Sequence, residues 1–185
     1  MKLIQADIPE VVIIEPQVFV DERGWFMESF SEKRFHENLA KLGLPVPRSF
    51  VQDNHSCSSK GVVRGLHFQK APYAQGKLVR VVKGAAFDVA VDIRKNSPTY
   101  GKWTGIKLNA DNKKIFWVPE GFAHGFIALE DDTHFLYKTT DYYNKESEEA
   151  IRWDDPDLNI QWPNMDEYLV NEKDQQAQSL SEFEG

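Results

Sequence analysis

Short runs of β-branched and aromatic residues, set off by turn residues, recur along most of the chain. Val11-Val12-Ile13-Ile14 is followed by Gln17-Val18-Phe19-Val20, and Asp21-Glu22-Arg23-Gly24 then makes a tight turn into a strand over 25–30. Further strands are predicted at 49–54, 62–69, 77–82, 85–93, 103–108, 114–118, 126–128 and 133–141. Alternation is cleanest where Phe87, Val89, Val91 and Ile93 oppose Ala86, Asp88, Ala90 and Asp92, because successive strand side chains point to opposite faces. One helix interrupts the series. Ser29 and Glu32 have capping-box spacing, Phe35, Leu39 and Leu42 share a face, and Gly43 ends it. A second, short helix is expected after Asn171.

Many strands with few helices predict an all-β fold, and about ten strands in a chain of this length suit a jelly-roll β-barrel whose sheets enclose a pocket. The 185 residues contain no repeat and no Pro- or Ser-rich linker, so one domain over 1–185 is expected. A formal charge of -7, with no basic cluster, argues against nucleic acid as a partner. It does not argue against a small anionic ligand, which needs only a few placed cations. The single cysteine, Cys57, excludes an internal disulfide framework. No apolar run is long enough to span a membrane, and Asp7 arrives before any signal-type core develops. A soluble, cytoplasmic protein is expected.

Four segments carry polar groups that a plain core strand would not want. In Val63-Arg64-Gly65-Leu66-His67-Phe68-Gln69, strict alternation puts Arg64 and His67 on opposite faces, whereas a bulge at Gly65 would bring them together. An exposed Arg and a hydrogen-bonded core His is the plainer reading. His124 leaves a turn flanked by Gly121 and Gly125, Lys77 and Arg80 put a cation on each face of one strand, and Tyr137 shares a face with Phe135. Each of these also has a purely structural reading. Metal-binding barrels of the cupin kind present two His one residue apart, but His67-Phe68-Gln69 has only one. His55, His124 and His134 are too scattered to make a ligand set visible from spacing, so no metal is expected.

At these segments the chain resembles the dTDP-4-dehydrorhamnose 3,5-epimerases, metal-free cupins. The resemblance is collinear from Asp21-Glu22-Arg23-Gly24 to Glu172-Lys173-Asp174. It takes in Val51-Gln52-Asp53-Asn54-His55-Ser56, Arg64-Gly65-Leu66-His67-Phe68-Gln69, Gln75-Gly76-Lys77-Leu78-Val79-Arg80, Pro119-Glu120-Gly121-Phe122-Ala123-His124-Gly125-Phe126 and Phe135-Leu136-Tyr137-Lys138. It implies a cofactor-independent isomerase that inverts C3 and C5 of a dTDP-4-keto-sugar in dTDP-rhamnose biosynthesis. That chemistry needs a base, an acid across the ring and a cation at the ketone oxygen.

The resemblance assigns His67 as base, Asp174 as its carboxylate partner, Tyr137 as the acid on the far face and Lys77 as the cation. It further implies that Arg23, Arg64 and Lys173 serve the diphosphate and that Glu28, Gln52, Asp53, Asn54, His124 and Glu148 add polar contacts. Tyr143 would stack on thymine. It also implies a homodimer whose N-terminal strand region reaches the neighbouring subunit's site. An epimerase acting only at C3 or C5, and a non-catalytic nucleotide-sugar-binding cupin, are the alternatives.

Overall fold

The computed structural model describes residues 1–183, and strands dominate its regular structure. Four short strands open the chain: β1 (Lys2–Gln5), β2 (Val12–Glu15), β3 (Val18–Asp21) and β4 (Gly24–Met27). After α1 (Glu32–Lys41) come β5 (Gln52–Ser58), β6 (Val62–Gln69), β7 (Lys77–Lys83) and β8 (Ala85–Asp92). Then follow β9 (Trp103–Asn109), β10 (Ile115–Val118), β11 (Phe122–Ala128) and β12 (Thr133–Thr139). The order closes with β13 (Glu148–Ala150), β14 (Leu169–Val170) and α2 (Glu172–Gln175).

Two sheets face each other as a jelly roll. One runs β1-β2-β10-β7-β12-β5 and the other β13-β6-β11-β8-β9, with β14 joining β6 in parallel. Between them, Val79, Val81, Phe116 and Phe135 of the first sheet meet Ala86, Ala90, Leu108, Phe122 and Phe126 of the second. The Phe126 and Phe135 rings stack with centroids 4.1 Å apart. The β8 alternation is therefore small against large, because both faces are buried. Ala86 and Ala90 point between the sheets, while Val89, Val91 and Ile93 pack outward against Leu158, Leu180 and Phe183. On the outer face of the first sheet, Phe35 and Leu39 of α1 cover Val12, Ile14, Leu78, Ile115 and Trp117.

Local details depart from the pattern-based expectations. The N-cap of α1 is Ser31, which makes no side-chain cap hydrogen bond. Glu32 is already helical and accepts from Ser49 Oγ at 3.2 Å, so Ser29 and Glu32 form no capping box. Leu42 is the C-cap and is exposed, while Gly43 at φ +71° ends the helix as expected. The strand expected over 25–30 stops at Met27, where the chain turns toward α1 and Glu28 pairs with Arg34. The strand expected at 49–54 lies over Gln52–Ser58 instead. The short helix after Asn171 is present, and Asn171 Oδ1 accepts from the Asp174 N–H at 2.7 Å. No helix among the described residues is long and apolar enough to cross a membrane.

Candidate active site

A cavity of about 320 Å³ opens at one end of the barrel, between the sheets. Gln52 and Asn54 on β5, Lys77 on β7 and Tyr137 on β12 line one wall; His67 and Gln69 on β6 and Glu148 on β13 line the other. The alternation that buries Phe135 also turns Tyr137 inward, with the two ring centroids 6.2 Å apart.

The β6 bulge is real. His67 pairs with His124 and Arg64 with Phe126, so the register shifts between them. Gly65 sits at φ +133°, and a Cβ there would lie 2.5 Å from the Gly125 Cα, so only glycine lets β6 and β11 approach this closely. The extra residue turns Arg64 inward with His67, and Arg64 Nε donates to Ser58 Oγ at 3.1 Å. It also frees the Gly65 N–H, which donates to Asp174 Oδ2 at 3.2 Å.

Asp174 is buried, and its Oδ1 lies 2.6 Å from His67 Nε2. β14 runs parallel to the start of β6 and thereby delivers α2 to this spot. With Nε2–H donating to the carboxylate, Nδ1 is left as the basic nitrogen of His67. Burial alone would raise the Asp174 pKa. The His67 hydrogen bond and charge, the Gly65 N–H and the Lys173 charge outweigh burial and hold it below the usual carboxylate range.

Lys77 is only 8% exposed, and its Nζ donates to the His67 carbonyl oxygen at 3.3 Å. Burial pulls its pKa down to about 8, against the opposing charges of Asp88 and Glu148. Burial raises the Tyr137 phenol above its ordinary value, opposed by a hydrogen bond from Asn54 and the charge of Arg64. The phenol therefore stays protonated at neutral pH. Behind this layer, His124 Nε2 lies 2.8 Å from Asp88 Oδ1. Burial pushes both members of that pair toward their neutral forms.

At the cavity mouth Glu148 Oε2 accepts from the Tyr143 hydroxyl at 3.0 Å and from Lys173 Nζ at 2.5 Å. Gln52 Oε1 accepts from the Tyr143 backbone N–H at 3.1 Å. Gln69 donates to the Tyr73 and Tyr142 carbonyls and accepts from the Asn144 N–H, fixing the loop that carries Tyr143.

The fold thus gathers Gln52, Asn54, His67, Lys77, Tyr137, Tyr143 and Glu148 around one cavity, with Asp174 behind His67 and Lys173 on Glu148, while Arg64 lines a neighbouring groove beside β14. Four other expected residues fall elsewhere. Arg23 is exposed on the β3–β4 hairpin and bonds to Asp21 of the same hairpin. Glu28 pairs with Arg34, and Asp53 faces outward to Lys138. His124 is 6% exposed and engaged by Asp88 rather than open to the cavity. Asp88 and Gln69 were not singled out as site residues from sequence. The inward phase of Asp88 on β8 was the available signal.

His67 and Tyr137 on facing walls, with the buried Lys77 beside them, offer the kinds of group that inverting a carbon next to a carbonyl requires. The class is a proton-transferring isomerase built on a cupin-type jelly roll. The chain belongs to the dTDP-4-dehydrorhamnose 3,5-epimerase family, whose profile matches residues 5–182. It is 56% identical over 180 residues to the dTDP-4-dehydrorhamnose 3,5-epimerase of Shigella flexneri, covering 97% of this chain and 96% of that one. Its fold matches the crystal structure of the Legionella pneumophila Philadelphia 1 dTDP-6-deoxy-D-glucose-3,5-epimerase in complex with dTDP-4-keto-L-rhamnose. The TM-score is 0.91, with 50% identity, covering 98% of this chain and 93% of that one. A 3'-monoepimerase from Streptomyces bikiniensis, in complex with dTDP-quinovose, is also similar, at TM-score 0.87 and 31% identity over 96% of this chain and 87% of that one.

Proposed function

We propose that the chain converts dTDP-4-dehydro-6-deoxy-α-D-glucose to dTDP-4-dehydro-β-L-rhamnose, within dTDP-rhamnose biosynthesis, by inverting C3 and C5. His67 Nδ1 removes a proton from the carbon next to the C4 ketone. The C–H electrons move into the ring and on to O4, and the Lys77 ammonium offsets the charge that develops there. The Tyr137 O–H then returns a proton to the opposite face. The phenolate regains its proton and His67 sheds one to solvent, so each inversion is balanced and releases nothing else. Asp174 orients the His67 ring and stabilises its charged form. Arg64 and Lys173 meet the diphosphate, Gln52, Asn54 and Glu148 the sugar and its surroundings, and Tyr143 the thymine face.

One observation carries this reading: His67 and Tyr137 line a single cavity from different sheets, with the buried Lys77 beside them. The test is deuterium wash-in from D₂O into the ketosugar. Label at both C3 and C5 is expected in the wild type. His67→Ala should lose both labels while keeping dTDP affinity within a few-fold. Label at one carbon only would leave the single-site alternative, and exchange surviving in His67→Ala would move the base elsewhere.

The same reading makes the active form a homodimer. β3 and β4 pair only with each other among the described strands, and the hairpin exposes Phe19, Val20, Trp25 and Phe26. Phe19 with Phe26 and Val20 with Trp25 are successive cross-strand pairs, so both faces of the hairpin are apolar and exposed, which is costly on an isolated chain. Seated on a second copy, the hairpin would cover these side chains and bring Arg23 and Glu28 toward the neighbouring cavity.

A further inference from the structure

The outer face of the first sheet carries a second cluster of chemically capable side chains, at the end remote from the cavity. His55 and Cys57 lie two residues apart on β5, and His134 of β12 sits directly opposite Cys57 in the register. Asp132, at φ +57° in the turn before β12, completes the group. Cys57 Sγ lies 3.2 Å from Asp132 Oδ1, and His134 Nε2 lies 3.4 Å from the same oxygen. All three donor atoms lie within 4.8 Å of one another.

We propose that Cys57, Asp132 and His134 form a binding site for a divalent transition ion of the zinc type, separate from the active site. Zinc takes thiolate at about 2.3 Å and imidazole or carboxylate at about 2.0 Å in a tetrahedron. Those lengths require sulfur–oxygen and nitrogen–oxygen edges of roughly 3.5 and 3.3 Å. Two of the three edges are already close to those values, and the sulfur and nitrogen donors lie within 4.8 Å of each other. Mixed S, N and O donors suit zinc or cobalt rather than magnesium or calcium.

The surroundings are also those of a ligand set. His134 Nδ1 lies 2.9 Å from His55 Nε2, the outer hydrogen bond that fixes the ring of a metal-bound histidine. Lys83 occupies the other Asp132 oxygen, which leaves Oδ1 directed at the cluster. Cys57 and Asp132 are exposed, so the fourth position opens to water. Lys83 and the cavity residue Lys77 end the same strand, and six residues of strand span about 20 Å. An ion bound here would clip edge strand β5 to the β11–β12 turn and would take no part in proton transfer.

The experiment titrates Co²⁺ into the tag-free, chelator-washed protein and follows absorbance. A saturable thiolate-to-cobalt charge-transfer band with tetrahedral d–d bands is expected at one equivalent per chain. Cys57→Ser should remove the charge-transfer band, and His55→Gln should weaken binding roughly 10- to 100-fold. Zn²⁺ at a hundredfold excess over its dissociation constant should raise the wild-type melting temperature by about 5–10 °C and leave Cys57→Ser unmoved. Absence of the band, or equal affinity in Cys57→Ser, would overturn the site. Loss of ketosugar exchange on chelation would place the ion in the cavity and overturn it equally.

Discussion

Replacing Lys77 with methionine should uncouple stability from catalysis, because the cation proposed to act at the ketone oxygen is buried at a cost. Its pKa falls from 10.5 to about 8 on burial. One unit corresponds to about 1.4 kcal/mol, so folding with Lys77 charged carries a penalty of about 3 kcal/mol at neutral pH. The lysine has a depressed folded pKa. Its penalty is complete below pH 8 and is relieved as pH rises toward 10.5, where the unfolded chain still holds a proton that the folded chain has shed. Wild-type stability should therefore gain roughly 2–3 kcal/mol on Lys77→Met between pH 7 and pH 10. Urea unfolding at fixed protomer concentration measures this gap, and the other titrating groups cancel in the difference. Repeating it with Asp88→Asn in both chains removes any contribution from that buried carboxyl, which loses its cation in the variant. Product formation by Lys77→Met should fall roughly 10²- to 10³-fold, as for loss of one oxyanion-stabilising group. Wild-type turnover should decline as pH passes the Lys77 pKa. Parallel stability curves for the two chains from pH 7 to pH 10 would refute the burial argument.

Tyr137→Phe should keep dTDP binding and at least one deuterium exchange, while dTDP-rhamnose production through the next reductase drops about a hundredfold or more. If exchange and product fall together, Tyr137 acts before the enolate forms. Arg23→Ala and His67→Ala chains should each be inactive, yet after unfolding and refolding together they should regain about one quarter of wild-type activity. Half of randomly reassociated dimers are mixed, and each mixed dimer holds one complete site. A mixture no more active than its parents would show that Arg23 serves its own cavity or none.

Much of the barrel was legible because its core strands alternate cleanly. β6 spans the predicted 62–69, and Tyr137 faces inward with Phe135 as its phase required. β5 was misplaced because Gln-Asp-Asn-His-Ser-Cys-Ser is polar on both faces. Its inner side chains line a cavity rather than a core, so no apolar signal marks it. β1, β13 and β14 contain four, three and two residues, and are strands only because a neighbour pairs with them. The bulge could be suspected from Gly65, but its partner Gly125 lies on another strand. Asp174 reads locally as nothing more than a helix-start residue; only the parallel pairing of β14 with β6 reveals its place beside His67. Likewise His134 is distant in sequence from His55 and Cys57 and meets them only across the β5–β12 ladder.

The late position of Asp174 also makes the surroundings of His67 a long-range arrangement. The residues that line the cavity lie between Gln52 and Glu148, but the partner of His67 lies 107 residues beyond it. A barrel lacking α2 would have its imidazole unoriented and the Gly65 N–H without an acceptor. The His67–Asp174 contact exists only where the chain lays β14 along β6 and inserts a carboxylate into the bulge that glycine holds open. It therefore reports on the β14–β6 pairing, and a substitution that loosens that pairing should loosen the carboxylate as well.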